Sequence, residues 1–313
     1  MKRSEIDAGV ETVAAMINEV ARNGGIEERI RQPRRLGILY AEESGRGLTH
    51  PFFVLILNAF KQEAEACGYD ITFINPRLVC ERGDLTAHCL ASLLDGICLV
   101  CVDFTSPQIK TLVKSGMPCV SVDHIFRGVP AMLSDNETGI QKLVEYAISR
   151  GHRRIAFVHG HNNSIVTRTR IRQFHNTMDY YKLPVPETYL REGLYDDIGL
   201  TRRIVTELLR LPEPPTCILL PDDISYLGAQ DAARDLDLRI PEDISFAGYD
   251  GIPLTQALTP KLTTIRQSSD QIGRMAAKRL IELIARPESV RAMPSIFPVE
   301  LVEGGTIGDI NDR

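Results

Sequence analysis

The chain has 313 residues, of which 43% are hydrophobic and 25% charged, and its formal net charge is -5. This composition is typical of a globular protein that is large enough to bury a core without disulfides or structural metals. No window approaches the ~18 uninterrupted apolar residues of a membrane-spanning helix, and the start of the sequence lacks the apolar core of a signal peptide. The acidic balance argues against a protein that binds nucleic acid over its whole surface.

The first 34 residues differ in pattern from the rest of the chain. A modest helical stripe is broken at Gly24-Gly25, and six basic residues balance six acidic ones. We therefore expect a short segment that is helical but not basic.

Short apolar strands alternate with amphipathic helices from residue 36 onward. A strand predicted at 36–40 is followed by a helix whose apolar residues recur at spacings of four and three from Phe53 to Cys67. Further strands are predicted at 71–74, 96–102 and 119–122, with a helix near 107–115. A second series has helices predicted near 136–150, 170–181, 226–236 and 267–285, and strands at 155–158, 217–220 and 244–247.

This alternation determines the predicted fold class. Apolar strands separated by helices indicate right-handed βαβ units with parallel sheets, and two such series indicate two similar α/β lobes. Ligands bind beyond the carboxyl ends of the strands in sheets of this kind, so functional residues should follow the strands. Two lobes that meet there form a cleft that can close on a ligand.

The seven cysteines are scattered, and several lie inside apolar runs. Cys98 and Cys101 have the spacing of a redox or metal site, but strand alternation would send these two thiols to opposite faces. We therefore expect reduced structural thiols in a cytoplasmic protein, with no metal and no cofactor.

Three further motifs suggest chemistry, and each has a more economical structural interpretation. His159-Gly160-His161 ends a predicted strand, but a metal site would need additional ligands that the sequence does not identify. Asp222-Asp223 resembles a hydrolytic carboxylate pair, yet adjacent residues rarely straddle one bond. Gly45-Arg46-Gly47 begins like a dinucleotide fingerprint, but His50 occupies the place of the third glycine.

A polar set remains after the strands of both lobes: Asp123, Arg170, Asp222 and Asp250. Carboxylates accept hydrogen bonds from hydroxyl groups, and a guanidinium donates to hydroxyls or to a carboxylate. The set therefore suits a polyhydroxylated small molecule. Taken singly, each of these residues is better explained as a helix cap or a surface charge.

Four motifs occur in order along the chain. They are SDNETG at 134–139, RGHRRIAF at 150–157, PEDISFAGYD at 241–250 and PKLTTI at 260–265. Together they resemble the LacI/GalR family of bacterial transcription regulators, over the chain from about residue 35 to the C-terminus. The resemblance implies a two-lobe, periplasmic-binding-protein-like (type I) fold, with an amino lobe of residues 35–134 and 268–292 and a carboxyl lobe of residues 135–265 and 296–306.

The same resemblance implies an effector site in the cleft between the lobes. Arg170 matches the arginine that reaches the effector, Asp222 follows the next strand of the lobe, and Asp250 is the acid of the Gly-Tyr-Asp motif. Two phenylalanines in the stretch His50-Pro51-Phe52-Phe53 would supply an apolar wall. The side chains assigned to the site are Phe52, Phe53, Asp123, Arg170, Asp222, Asp250 and Gln267.

In function, the resemblance implies a transcription regulator rather than an enzyme. It implies a homodimer that is not attached to a membrane. A small effector, which the family favours to be a sugar, would control the affinity of this dimer for operator DNA. The family places a complete DNA-reading headpiece and a hinge helix before the first core strand. Residues 1–34 would be a degenerate or truncated headpiece, because a helix-turn-helix needs a preceding helix that is missing here. The alternative is a sensor module without intrinsic DNA binding. A sugar hydrolase ranks third, and a secreted solute-binding protein is disfavoured.

Overall fold

The computed structural model describes residues 34–41, 48–74, 84–287 and 292–311. The helix predicted within the first 33 residues and the Gly45-Arg46-Gly47 motif therefore lie outside the described residues. Within those ranges, no helix is both long enough and apolar enough to span a bilayer.

Six strands form the sheet of the amino lobe. They are β1 (Arg35–Tyr40), β2 (Asp70–Ile74), β3 (Gly96–Val100), β4 (Cys119–Val122), β5 (Ala131–Ser134) and β11 (Pro294–Phe297). Their order is β11-β5-β4-β3-β1-β2, and every neighbouring pair is parallel. The residues of β3 and β4 are all buried, because helices cover both faces of the sheet.

The amino lobe includes a helix that comes late in the chain. Its helices are α1 (Pro51–Ala66), α2 (Leu85–Ala91), α3 (Pro107–Lys114) and α9 (Ser269–Ala285). The axes of α1 and α9 approach closely at Gly273, where a Cβ atom would lie 2.2 Å from the carbonyl oxygen of Ile56. Ile272 and Leu280 of α9 are fully buried in the same cluster as Phe60 of α1. Each such side chain stabilises the packed lobe by about 1.5–3 kcal/mol.

The carboxyl lobe is built around a smaller parallel sheet. Its strands are β6 (Ile155–His159), β7 (Leu190–Glu192), β8 (Cys217–Leu219) and β9 (Ser245–Ala247), in the order β7-β6-β8-β9. The helices of this lobe are α4 (Asn136–Ser149), α5 (Ile165–Tyr180), α6 (Ile198–Leu209), α7 (Ser225–Asp235) and the short α8 (Pro253–Gln256). A separate antiparallel pair is formed by β10 (Thr264–Gln267) and β12 (Val299–Val302).

The chain passes between the two sheets at the ends of β5, β10 and β11. After β10 it enters α9 of the amino lobe, and after β11 it returns directly to β12 beside β10. Because β11 pairs with β5 through Phe297, residues 296 and 297 lie in the amino-lobe sheet. The lobe limits implied by the resemblance stay a prediction.

The predicted α/β fold with two lobes is confirmed, and the differences are local. Helix α5 begins at Ile165 rather than near Arg170, because the Ser164 side chain caps it by accepting from the Thr167 backbone N–H. The helix begins with Ile165 and Val166, but residues 167–170 are polar, so the continuous apolar stripe starts late. Helix α6 was not predicted, although Asp197 caps it by accepting from the Leu200 backbone N–H at 2.8 Å.

Candidate functional site

The carboxyl ends of the strands bring polar side chains from both lobes to the cleft. Asp123 follows β4 directly, Asp222 comes three residues after β8 ends, and Asp250 comes three residues after β9 ends. Asp123 has a φ of 59°, in the left-handed region that aspartate tolerates better than most residues, and its backbone N–H donates to the Met132 carbonyl at 2.9 Å. This conformation ends the strand and fixes where the carboxylate starts.

Arg170 is the central cation of the site and is only 5% exposed. Its Nε donates to Oδ1 of Asn136 at 2.7 Å, and its Nη1 donates to the Pro221 carbonyl at 3.1 Å. The guanidinium carbon lies 3.5 Å from the ring centroid of Tyr249, a cation–π contact. Among the described residues it forms no ion pair, so neutral groups hold a buried positive charge in place and Nη2 is left to donate elsewhere.

Asp123 approaches Arg170 from the opposite lobe. Burial raises the pKa of the Asp123 carboxyl to about 6, against the lowering field of Arg170. Its Oδ1 is buried and has no hydrogen-bond partner among the described residues. An unpaired buried oxygen of this kind costs roughly 1–3 kcal/mol, which a donating ligand would offset.

Asp250 is held by a residue that the sequence analysis also assigned to the site. Gln267 donates from Nε2 to Oδ1 of Asp250 at 2.6 Å, and the Asp250 backbone N–H donates to the Ile265 carbonyl at 2.8 Å. Burial, reinforced by the field of Asp223, raises the pKa of Asp250 well above its usual range. Gln267 therefore orients the acid, and one carboxylate oxygen remains to accept a further hydrogen bond.

Asp222 accepts its hydrogen bonds from groups of its own lobe. Its Oδ1 accepts from the Ser225 backbone N–H at 2.8 Å, and its Oδ2 accepts from the Asp196 N–H at 2.8 Å and from Ser225 Oγ at 2.9 Å. Burial raises the pKa of Asp222, whereas these donors and the field of His50 lower it. The carboxylate thus holds the start of α7, and its contact with an effector stays a prediction.

Asp223 faces a different set of donors from its neighbour. Its Oδ1 accepts from Thr264 Oγ1 at 2.5 Å, and its Oδ2 accepts from the Ile252 N–H and from Thr255 Oγ1, both at 2.9 Å. These bonds join the segment after β8 to β10 and to the turn that follows Asp250. The two adjacent acids therefore support separate parts of the lobe instead of facing a common bond.

The two phenylalanines of the predicted apolar wall lie in different environments. Phe52 is buried in the amino-lobe core, whereas Phe53 is partly buried, with its ring centroid 4.9 Å from that of His50 and 6.1 Å from that of Tyr40. His50 precedes α1 and is 7% exposed, and its buried Nδ1 has no hydrogen-bond partner among the described residues.

The sequence analysis did not assign His50 to the site. Its ring packs on Phe53, which was assigned to the site, and its field contributes to lowering the pKa of Asp222 on the opposite lobe, so we place His50 beside the candidate site. Its place just before Pro51 and the two phenylalanines was the available signal.

Tyr195 is a second cleft residue that the sequence did not reveal. Its hydroxyl lies 2.8 Å from Thr167 Oγ1, and its ring packs over Gly160, where a Cβ atom would lie 2.1 Å from Cε2 of the tyrosine. The fields of Arg170 and Asp250 both reach its hydroxyl. Only a glycine at position 160 leaves space for this ring, so the glycine of His159-Gly160-His161 matters more here than the histidines.

The two histidines of that motif do not converge on one point. His159 Nδ1 lies 2.8 Å from the Gly160 carbonyl oxygen, and burial lowers the pKa of its imidazole. His161 Nδ1 lies 3.1 Å from Oε1 of Glu192 on the surface. In the part of the chain that the structure describes, no three His, Cys, Asp or Glu side chains cluster as metal ligands would.

The two cysteines of the CxxC spacing, Cys98 and Cys101, lie in different environments. Cys98 is buried within β3, whereas Cys101 follows the end of that strand with a φ of 50°. Among the other cysteines, burial raises the pKa of the Cys89 thiol to about 11 and that of the Cys119 thiol to about 12. Thiols that are protonated at neutral pH are poor nucleophiles and poor metal ligands.

His152, from the RGHRRIAF motif, fastens the C-terminal part of the chain. Its Nδ1 lies 2.9 Å from Thr216 Oγ1, and its Nε2 lies 3.2 Å from the carbonyl oxygen of Gly308. The ring is 1% exposed. These contacts are structural and lie away from the cleft.

Comparison with known proteins places this geometry in a class. The periplasmic binding protein-like domain family matches residues 144–307, slightly more than half of the chain. The chain belongs to this class, and within it to the LacI/GalR family that its four ordered motifs predict.

Two relatives and one solved structure illustrate the similarity. The chain is 31% identical over 199 residues to the "Probable HTH-type transcriptional repressor ExuR" of Bacillus subtilis (strain 168), covering 62% of this chain but 59% of that relative. It is 26% identical over 280 residues to the ribose operon repressor of Escherichia coli (strain K12), covering 88% and 83%. In fold, it matches a LacI family transcriptional regulator from Enterococcus faecium with bound ribose, with a TM-score of 0.76, 23% identity and coverage of 89% and 100%.

Proposed function

We propose that the protein is a LacI-type transcription regulator whose core binds a small polyhydroxylated effector, a sugar, between its lobes. The observation that carries this proposal is a pair of buried polar groups on opposite lobes, the Arg170 guanidinium and Asp123 Oδ1, whose fields reach each other across the cleft. Arg170 is buried and keeps a donor at Nη2, while Asp123 keeps a buried oxygen without a partner. A hydroxyl group can accept from the first and donate to the second.

The neighbouring groups favour several hydroxyls over one. Asp250 has an oxygen left to accept, and Phe53 beside His50 offers an apolar face. Sites for sugars combine such a face with a few oriented polar groups. The ribose bound in the Enterococcus faecium structure and the name of the ribose operon repressor support the same class of effector.

The proposed control of DNA binding follows from the location of the site. An effector that contacts both lobes binds their closed arrangement more tightly than an open one, and this difference shifts the conformational equilibrium. In a homodimer, the shift would change the spacing of the N-terminal segments and hence the affinity for operator DNA. Operator DNA and a second copy of the chain are therefore the proposed macromolecular partners.

The site is tested by calorimetric titration of the purified chain with a panel of sugars. We expect Asp250→Ala to abolish binding, with affinity lower by at least roughly 100-fold, because it removes the carboxyl oxygens and leaves the effector's hydroxyls without hydrogen-bond partners in a buried site. Circular dichroism should show an intact fold. The control is Asp179→Ala, which removes an exposed acid near the end of α5. Arg170→Ala should lose binding likewise, and an unchanged affinity in Asp250→Ala would contradict the site assignment.

The DNA-binding part of the proposal is tested separately. The chain is titrated with DNA from upstream of its own gene at several salt concentrations, with and without a sugar that binds. Binding with a steep negative salt slope, altered by the sugar, would support a regulator that contacts phosphates. Sugar binding without DNA binding would favour the sensor module in its place.

A further inference from the structure

Three side chains that can carry positive charge follow strand ends at the cleft edges of the two lobes. Lys110 lies in the first turn of α3, His124 follows Asp123, and Arg168 lies in the first turn of α5 on the opposite lobe. We call these three residues the cationic rim. The rim is separate from the polar groups deeper in the cleft, since none of its members takes part in their hydrogen bonds.

Local contacts hold two members of the rim in position. The imidazole of His124 stacks on the Phe104 ring with a centroid separation of 4.3 Å and an interplanar angle of 4°. Arg168 Nη1 donates to the carbonyl oxygens of Asn162 at 2.9 Å and Asn163 at 2.8 Å. The Arg168 guanidinium is thus oriented by neutral groups that leave its charge uncompensated.

No acid balances the rim within the part of the chain that the structure describes. Neither Lys110 nor Arg168 forms an ion pair there, and His124 has no carboxylate among its electrostatic neighbours. Burial, followed by the fields of Arg168 and Lys110, lowers the pKa of the His124 imidazole. The positive charges of Lys110 and Arg168 thus both disfavour the charged imidazole, whereas an anion beside these side chains would favour it and would be attracted by both cations.

We propose that the effector carries an acidic group, a carboxylate or a phosphate, at the end of its polyhydroxylated body that faces Lys110, His124 and Arg168. This inference rests on the proposed function and narrows the effector from sugars in general to acidic sugars. The hydroxyls contact Asp123, Arg170 and Asp250, while the acid group lies between the lobes at the rim. An anionic end would also be guided into the cleft by the rim.

The test compares matched sugars that differ in one group. Calorimetric titrations use D-glucose, D-glucuronate and D-glucose 6-phosphate, and the equivalent set for D-galactose. We expect one acidic member to bind at least roughly tenfold more tightly than its neutral counterpart, because hydrogen bonds between charged partners are the strong ones. The preference should shrink as salt is added, since the rim is partly exposed. Comparing the affinity for the uronate with that for the sugar phosphate shows whether the acidic group is a carboxylate or a phosphate.

Rim variants with matched controls show where the acid binds. The ratio of acidic to neutral affinity should fall in Arg168→Gln and in Lys110→Gln. It should persist in Arg172→Gln and Lys114→Gln, which alter exposed cations one turn further along the same helices.

Each other outcome counts against a specific claim. A neutral sugar that binds as tightly as its acidic counterparts overturns the inference and leaves the proposed function standing. An acidic preference that survives both rim variants overturns the assignment to the rim. A chain that binds no sugar, neutral or acidic, overturns the proposed function together with the inference.

Discussion

The two walls of the cleft are built differently. On the carboxyl lobe, Arg170, Asp222 and Asp250 are each fixed by hydrogen bonds to groups of their own lobe. On the amino lobe, His50 Nδ1 and Asp123 Oδ1 are buried without partners among the described residues. One wall is therefore already oriented, whereas the polar groups of the other are desolvated and unpaired.

This difference indicates how an effector would act on the lobes. A wall that is oriented in advance loses little conformational entropy on binding, so the carboxyl lobe provides most of the first recognition. The unpaired groups of the amino wall each cost roughly 1–3 kcal/mol, and the cost is offset only when a ligand lies between the walls. The amino wall therefore couples effector binding to closure, provided that the carboxyl wall keeps its shape.

The largest expected effect on stability comes from replacing Asp223, whose hydrogen bonds hold together the carboxyl-lobe wall of the cleft. Asp223→Ala leaves the Thr264 hydroxyl and the Ile252 N–H without their acceptor in a buried site and removes one of the two acceptors of the Thr255 hydroxyl, and should lower the free energy of unfolding by about 3–5 kcal/mol. Urea unfolding measures this change. The control is Asp231→Ala, which removes a surface ion pair with Arg234 and should cost at most about 1 kcal/mol. Equal losses in the two variants would show that Asp223 does not support the wall.

A smaller effect of opposite sign is expected at the amino wall. The pKa of Asp123 is raised to about 6 by burial, against an ordinary value of 3.8. A raised pKa means that the folded chain binds the proton more tightly, so this stabilising contribution is present below about pH 4 and is lost as the pH rises through 6. Asp123→Asn removes the buried charge and keeps a side chain that tolerates the left-handed backbone.

The resulting stability profile is specific to this group. At pH 7.5 Asp123→Asn should be more stable than the natural chain by about 1–2 kcal/mol, and at pH 4 the two should be equal. Effector affinity should fall in the same variant, because asparagine offers one acceptor oxygen where the carboxylate offers two. A variant that is destabilised at pH 7.5 would mean that the Asp123 charge is compensated in the folded chain.

The sequence was sufficient for the fold, and it named several polar side chains of the candidate site, whose roles stay a prediction. Apolar strands such as β4, which is fully buried, carry their own signal, and the acids that follow them were found because ligands bind at the ends of such strands. Helix α5 was placed too late, because hydroxyl and guanidinium side chains at residues 167–170 interrupt the apolar pattern that begins at Ile165 and Val166. Local periodicity reports burial, and it does not report a helical turn whose polar residues follow its first apolar pair.

The remaining site residues depend on contacts that are distant in the chain. Asn136 orients Arg170 from 34 positions away, and Tyr195 reaches Thr167 from 28 positions away. His50 is opposed by Asp222 only once both lobes have formed. The two partners of such a pair never lie in the same short stretch of sequence, so residue spacing alone could not assign these residues to the site.

The smallest expected effect distinguishes an oriented residue from a contacting one. The Tyr195 hydroxyl is already paired with Thr167 Oγ1 within the carboxyl lobe, so Tyr195→Phe should cost about 0.5–1.5 kcal/mol of stability and change effector affinity less than roughly threefold. Gly160→Ala displaces the whole ring, because the new Cβ atom would lie 2.1 Å from it, and should weaken effector binding more than Tyr195→Phe does. Thermal unfolding and calorimetric titration measure the two quantities. If Tyr195→Phe instead weakens effector binding by tenfold or more and leaves stability unchanged, the Tyr195 hydroxyl contacts the effector itself. The carboxyl wall would then be less fully oriented before binding than its internal hydrogen bonds indicate.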